Sequence, residues 1–274
     1  MLTQEIEERL MDYLKEDFGT GDITSAITPS RECLASINVN EPCTLAGMEE
    51  VSFLMRYMGL KVKPLKADGE AVKKREKVLE AYGESRKILS AERVCLNILG
   101  RMSGVASMCA KARKICVKET IALTRKTVPG FQLLDKKAGQ AAGAWTHRKN
   151  LAEMMLLKDN HLRFFAGSIE AAKTAKASGK MFEIEAENAE DALAVLQANP
   201  DMIMLDNFNP QDAKKTISKL RKAGFHGKIE LSGGITLKNL KTYCNMGADI
   251  ISMGELTKKA RIVDFSLDIT DIKA

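Results

Sequence analysis

The sequence predicts an α/β protein whose parallel strands close as a barrel, and three observations carry that expectation. Short apolar segments alternate with amphipathic helical ones over the later part of the chain, and strands recur about every 20 to 25 residues, the period of a βα unit. Polar and charged residues collect at the C-terminal ends of many different strands, which is where an α/β barrel keeps its active site. No GxGxxG motif follows an early strand, which weakens the doubly wound, dinucleotide-binding alternative.

The elements follow in order. The first hundred residues are mixed. Ile6, Leu10 and Leu14 share one helical face, and the helix stops before the polar turn FGTGDITS. ASINVN and TLAG alternate as short strands do. A long helix follows, with Ser90 as its cap, Glu92 in its positive first turn, and Leu96, Leu99, Met102 and Ala106 as its buried stripe. Strands are then expected at 121–123, ending in TRKT, and at 154–157, ending in KDNH. FEIEAEN comes next, followed by the helical AEDALAVLQAN. A strand at 202–205 ends in DNF, and Asn209, Pro210 and Asp212 mark a helix start by cap, first-turn proline and capping acid. A strand at 229–231 ends in SGG, a helix is expected from Thr236 to its closure at Gly247, and a strand at 250–252 ends in MGEL.

The segment FEIEAEN alternates Phe182, Ile184 and Ala186 with Glu183, Glu185 and Glu187, so three carboxylates line one side of a strand. In a barrel the apolar side meets the outer helices, and the carboxylates point into the interior or the mouth, where they need cations. Arg125 and Lys126 end one strand, His147 and Arg148 lie in the following loop, Lys158 ends the next strand, and Asp206 ends the strand after FEIEAEN. A mouth of both signs suits a polyanionic substrate together with a divalent metal, because Mg²⁺ takes one or two carboxylates plus phosphate oxygens and water. SGG and the Met253–Gly254 pair offer small residues and free backbone N–H groups to a terminal phosphate. Each piece alone has a plainer reading. A lone SGG is more often a tight turn, and a single buried His, Lys or Glu more often belongs to a structural pair.

Bulk properties bound the rest. At 274 residues the chain can bury a barrel-sized core or two smaller ones, and 45% hydrophobic with 28% charged residues is ordinary for a soluble globular protein. No apolar run approaches the roughly 18 residues of a membrane span, and the acidic start MLTQEIEERL is no signal peptide, so a cytoplasmic protein without a membrane partner is expected. The six cysteines include no CxxC pair and are expected to be reduced, mostly buried thiols. The net charge of +6 raises nucleic acid as a partner, but aromatics are only 5% of residues, and lysines such as Lys214, Lys215, Lys219 and Lys222 read as solvated helix faces. No nucleic-acid partner is expected.

AERVCLNILGRMSGVAS, TRKTVPG, THR, LLKDNH, EIEAEN, MLDNF, ELSGGI and IISMGELT occur in the order found in the quinolinate phosphoribosyltransferase family, the decarboxylating nicotinate-nucleotide pyrophosphorylases, and EDFGTGDIT resembles the family's amino-terminal signature. The resemblance implies an N-terminal α/β sandwich domain (1–100, joined by a returning segment 264–274) and an open, incomplete α/β barrel (101–263) of the type II phosphoribosyltransferase kind. It implies transfer of phosphoribosyl from phosphoribosyl pyrophosphate to quinolinate with decarboxylation, giving nicotinate mononucleotide, pyrophosphate and CO₂ in NAD biosynthesis, with Mg²⁺ as cofactor. By the same resemblance Thr124, Arg125, Lys126, His147, Arg148 and Lys158 form the pocket for quinolinate's carboxylates and the pyrophosphate. Glu185 and Asp206 face the ribose and hold the metal, and with Lys126 and Lys158 they are the expected catalytic groups. Ser232, Gly233, Gly234, Met253 and Gly254 hold the 5′-phosphate. Arg93 of the AER motif reaches into the pocket of a second subunit, so a homodimer with composite active sites is implied.

One stretch departs from the family pattern. Gln132 stands where an arginine is usual, Lys136–Lys137 where a Lys-Tyr pair is usual, and AAGAW, with Trp145, where a glycine run is usual. These positions bear on the identity of the acceptor, and a related branch associated with molybdenum transport resembles the same fold. A non-catalytic binding paralogue would show damage among the charged strand-end residues, and none is seen.

Overall fold

The structure is a computed structural model that describes residues 2–273. The chain forms two compact units, one of residues 1–110, 128–143 and 259–274, the other of 111–127 and 144–258. The first therefore takes in more of the chain than the expected 1–100 and 264–274. Among the described residues, no helix is long and apolar enough to cross a membrane.

The first unit is built on β1 (Glu32–Val39), β2 (Cys43–Thr44), β3 (Lys61–Pro64), β4 (Ala71–Val72) and β5 (Lys77–Glu84). With a returning strand, Phe265–Ile272, they form a four-stranded antiparallel sheet, in the order returning strand, β1, β5, β3, while β2 and β4 pair separately. The returning strand runs along β1 from Phe265 opposite Val39 to Ile272 opposite Cys33. Thr3 caps the helix Gln4–Phe18, which buries Leu10 and Leu14. The helix Ser85–Ile115 buries Leu96, Leu99, Met102 and Ala106 as expected. It starts before Ser90, whose hydroxyl donates instead to Asp22 at 2.7 Å. Gly104 lies where this helix meets the Arg261 carbonyl, and any Cβ there would collide with it.

Residues 128–143, which carry two of the departures from the family pattern, belong to this unit. Gln132 opens the helix Gln132–Ala141. Lys137 bridges Glu49 at 2.5 Å and the fully buried Glu50 at 2.6 Å. Asp135, also fully buried, receives two hydrogen bonds from the Arg101 guanidinium, at 2.9 and 2.8 Å.

The second unit contains β6 (Thr120–Leu123), β7 (Met155–Leu157), β8 (Phe182–Ala186), β9 (Met202–Asp206), β10 (Lys228–Ser232) and β11 (Ile250–Met253). All pair in parallel, in the order β6-β11-β10-β9-β8-β7. The sheet runs from β6 to β7 without those two pairing, and β6 is extended only by a parallel bridge from Ala122 to Trp145. This is an open α/β barrel. Helix Pro210–Lys222 starts as its signals predict: the Asn209 side chain accepts from the Asp212 N–H, and Ala213, Thr216, Ile217 and Leu220 turn inward.

Two expectations fail here. The stretch from Thr236 to Gly247 holds only the 3₁₀ turn Leu240–Thr242 where a longer helix was expected, although the Asn239 side chain accepts from the Thr236 N–H as at a helix start. Cys116 and Cys244, 128 residues apart in sequence, form a disulfide with Cα atoms 5.5 Å apart, whereas Cys33, Cys43, Cys95 and Cys109 are free and buried. No local spacing announces a pair that only tertiary contact creates.

Candidate active site

At the C-terminal ends of the second unit's strands lies a cavity of about 300 Å³. β6 delivers Thr124, Arg125 and Lys126 to it immediately after its last residue. The loop is held in place by the Lys126 N–H donating to Thr124 Oγ1 (3.2 Å) and by the Thr257 hydroxyl donating to the Lys126 carbonyl (2.7 Å). Gly254 lets the Lys126 stem pass, since a Cβ there would sit 3.1 Å from Lys126 Cδ. Lys158 follows β7, and its ammonium lies 2.5 Å from Glu185 of β8.

The three glutamates of FEIEAEN separate. Glu183 is fully buried, Glu185 is 7% exposed, and Glu187, past the end of the strand, is exposed. Burial raises the Glu185 pKa, the hydrogen bond from Lys158 opposes this, and the charge of Asp206 raises it further. Asp206 ends β9 beside Ser232, its partner in register at the end of β10. Asn207 donates to Asp206 at 2.6 Å and through its backbone N–H to the Ser232 carbonyl at 3.0 Å. Gly233, at φ +83°, packs so closely on Asn207 that a side chain has no room, while Gly234, at φ +60°, is open. The SGG and LDN turns are thus locked together, with Ser232 lining the cavity. Met253 has its side chain fully buried at the end of β11.

Arg148 also lines the cavity and donates to the Met154 carbonyl at 3.3 Å. Burial and the neighbouring Arg125 charge both lower its pKa, as expected where two guanidinium groups are held for an anion. His147 has both ring nitrogens engaged. Nδ1 accepts the Arg148 backbone N–H at 2.8 Å, while Nε2 lies 3.2 Å from Glu183 and 3.1 Å from Glu230. Burial lowers the His147 pKa and the two carboxylates beside Nε2 raise it, while the Arg148 N–H donated to Nδ1 favours the neutral ring.

Arg93 belongs to the first unit, with its side chain 63% exposed and its nearest acid, Glu92, at 3.9 Å. Glu183, which FEIEAEN presents beside Glu185 and which could pair with an interior lysine, meets His147 instead, and Glu230 is a buried acid that no motif in the sequence singles out. The signal for Glu230 was present: KIELS alternates as FEIEA does, with Ile229 and Leu231 on one side and Glu230 on the other.

Glu185 and Asp206 lie on neighbouring strands, close enough for the second carboxylate to raise the first one's pKa, and oxygen donors of this kind suit Mg²⁺.

The C-terminal domain model of quinolinate phosphoribosyl transferase matches residues 103–268, and its N-terminal domain model matches residues 22–103. The probable nicotinate-nucleotide pyrophosphorylase (carboxylating) of Archaeoglobus fulgidus is 38% identical over 256 residues, covering 91% of this chain and 98% of the relative. The rat nicotinate-nucleotide pyrophosphorylase (carboxylating) is 35% identical over 265 residues, covering 94% and 88%. Among solved structures, the nicotinate-nucleotide pyrophosphorylase of Francisella tularensis superposes with a TM-score of 0.92 at 31% identity, over 98% of both chains. Two domain models that together span most of the chain, and relatives aligned along nearly their full length, establish that this protein belongs to the quinolinate phosphoribosyl transferase family.

Proposed function

We propose that the protein transfers the phosphoribosyl group of phosphoribosyl pyrophosphate to quinolinate and releases CO₂, forming nicotinate mononucleotide and pyrophosphate for NAD biosynthesis. The observation that carries this reading is one cavity with Arg125, Lys126, Arg148 and Lys158 on its walls and the acids Glu185 and Asp206 at neighbouring strand ends. Four cations exceed what a single carboxylate needs and match a dicarboxylate with a pyrophosphate.

In this reading the pyridine nitrogen forms a bond to the anomeric carbon as the bond to the pyrophosphate oxygen breaks. Positive charge grows on the ribose in the transition state, and Glu185 and Asp206 stabilise it. Lys126 and Lys158 take up the charge of the leaving pyrophosphate. Mg²⁺ held by the two carboxylates would neutralise part of that charge. The pyridinium nitrogen then draws the electrons of the adjacent C–CO₂ bond into the ring as CO₂ leaves, and a proton replaces it on that carbon. Ser232, Gly233, Gly234 and Gly254 hold the 5′-phosphate through backbone N–H groups, with Met253 anchoring the turn from the core. Arg93 completes the acceptor site of a second subunit in a homodimer.

The test is to supply phosphoribosyl pyrophosphate and Mg²⁺ with either quinolinate or nicotinate and to follow mononucleotide and CO₂. Quinolinate should turn over and nicotinate only poorly, because a site built for two carboxylates leaves charge unpaired when one is missing. Efficient use of nicotinate with none of quinolinate would overturn the reading.

A further inference from the structure

Glu183, Glu230 and His147 meet beside the cavity, which His147 and Glu230 help to line. Glu183 of β8 and Glu230 of β10 are fully buried, and apart from His147 their carboxylates have no close partner among the described residues. Two carboxylates held this way cost stability, and apolar side chains of similar volume would fill the space at lower cost.

His147 gives the two acids a function. Its φ of +52° lies in the left-handed region, which a non-glycine residue keeps only where its surroundings over-determine it. Those surroundings meet the ring at one face and at both nitrogens. The Trp145 ring lies against it, centroids 4.6 Å apart; Nδ1 accepts the Arg148 N–H; and Nε2 faces both carboxylates. An Nδ1 that accepts a hydrogen bond carries no proton, so the ring proton is on Nε2, shared between Glu183 and Glu230. Neither contact is aligned as a full hydrogen bond, as expected for one donor between two acceptors.

We infer that Glu183 and Glu230 are positioning residues for the acceptor site: they fix the tautomer and plane of His147, and through its Nδ1 the backbone of Arg148, whose guanidinium then meets the substrate carboxylate. His147 acts in this through Arg148, whose backbone N–H its Nδ1 accepts. This inference rests on the proposed use of Arg148 in binding quinolinate. The same three side chains have the composition of a metal site, their ligand atoms lying within 4.8 Å of one another. Geometry opposes that reading, because a metal on Nε2 requires a proton on Nδ1, where the Arg148 N–H already points at 2.8 Å.

The experiment compares Glu230→Leu, Glu183→Leu and the conservative Glu230→Gln with the unmodified enzyme, by initial rates in both substrates. In the leucine variants the KM for quinolinate should rise about 10- to 100-fold, the scale of a displaced binding group, while the KM for phosphoribosyl pyrophosphate stays nearly unchanged. Glu230→Gln, which keeps an acceptor for Nε2–H, should recover most of the loss. The melting temperature should not fall in the leucine variants. Equal movement of both KM values with a falling melting temperature would show that the acids are merely structural, and an unchanged quinolinate KM would overturn the inference directly. A second measurement is independent of turnover. With only three histidines in the chain, ¹⁵N-histidine NMR can assign the His147 tautomer. The Nε2–H form supports the inference, and an Nδ1–H form or stoichiometric bound zinc overturns it. If the unmodified enzyme fails to use quinolinate while NMR finds Nε2–H, the functional reading is at fault and the His147 clamp stands.

Discussion

Replacing Glu185 by glutamine isolates one carboxylate charge at almost constant volume. Glu185 is 7% exposed and its carboxylate lies 2.5 Å from the Lys158 ammonium, so it is already positioned and largely dry before any substrate arrives. A unit charge about 4 Å from developing positive charge, at an effective dielectric near 20, is worth roughly 4 kcal/mol. Lys158 offsets part of this, and removal of one pre-organised stabilising group commonly costs about 10² to 10³ in kcat, near 3 kcal/mol. We expect a kcat loss of that size in Glu185→Gln. The KM for phosphoribosyl pyrophosphate should hold or fall, because the unpaired Lys158 ammonium becomes free to bind pyrophosphate. Initial-rate kinetics following CO₂ release from carboxyl-labelled quinolinate separates the two parameters. Glu187→Gln, at an exposed position beyond the strand, is the internal control and should be mild. A raised KM with kcat intact, or equal small effects at Glu185 and Glu187, would refute the reasoning and leave FEIEAEN a structural strand.

Arg93→Ala and Lys126→Ala should each be nearly inactive, and mixing them should restore activity if Arg93 serves a second subunit's site; no recovery in verified heterodimers would place Arg93 elsewhere. Arg101→Ala strands the fully buried Asp135 and should cost about 3 kcal/mol in urea unfolding, most of it regained in Arg101→Ala/Asp135→Leu, since an unpaired buried charge is the source of the loss. Asp22 caps the helix Ile23–Ile27 and accepts from the Ser25 hydroxyl, the Ser25 N–H and the Ser90 hydroxyl, which together lower its pKa to about 2. A depressed carboxylate stabilises the fold above its ordinary value of 3.8 and loses that contribution as pH falls through about 2. Asp22→Asn, which can still cap, should therefore flatten the acid limb of a melting-temperature profile between those values.

The periodic parts of this chain were legible because their signals are local. Strand-length apolar segments at βα spacing, and the Asn209–Pro210–Asp212 helix start, are set by chemistry within a few residues, and each strand of the barrel lies within a residue or two of its expected place. The motifs at the strand ends carried the family resemblance, and a parallel barrel necessarily collects such ends at one mouth. At Thr236 the local signals announce a helix start, and the Asn239 side chain does accept from the Thr236 N–H, yet the chain continues only as a 3₁₀ turn.

What only the tertiary structure decided depends on which residues distant in sequence come within a few ångströms. Cys116 meets Cys244 across 128 residues. Lys137 pairs with Glu49 and Glu50, so a departure from the family pattern that seemed to concern the acceptor serves an ion pair of the first unit. Alternation told that Glu183 and Glu185 share a side of β8, but not that one would face Lys158 and the other His147. That choice follows from the depth of each residue along the strand, and depth is set by how six strands are staggered against one another, a quantity no single strand contains.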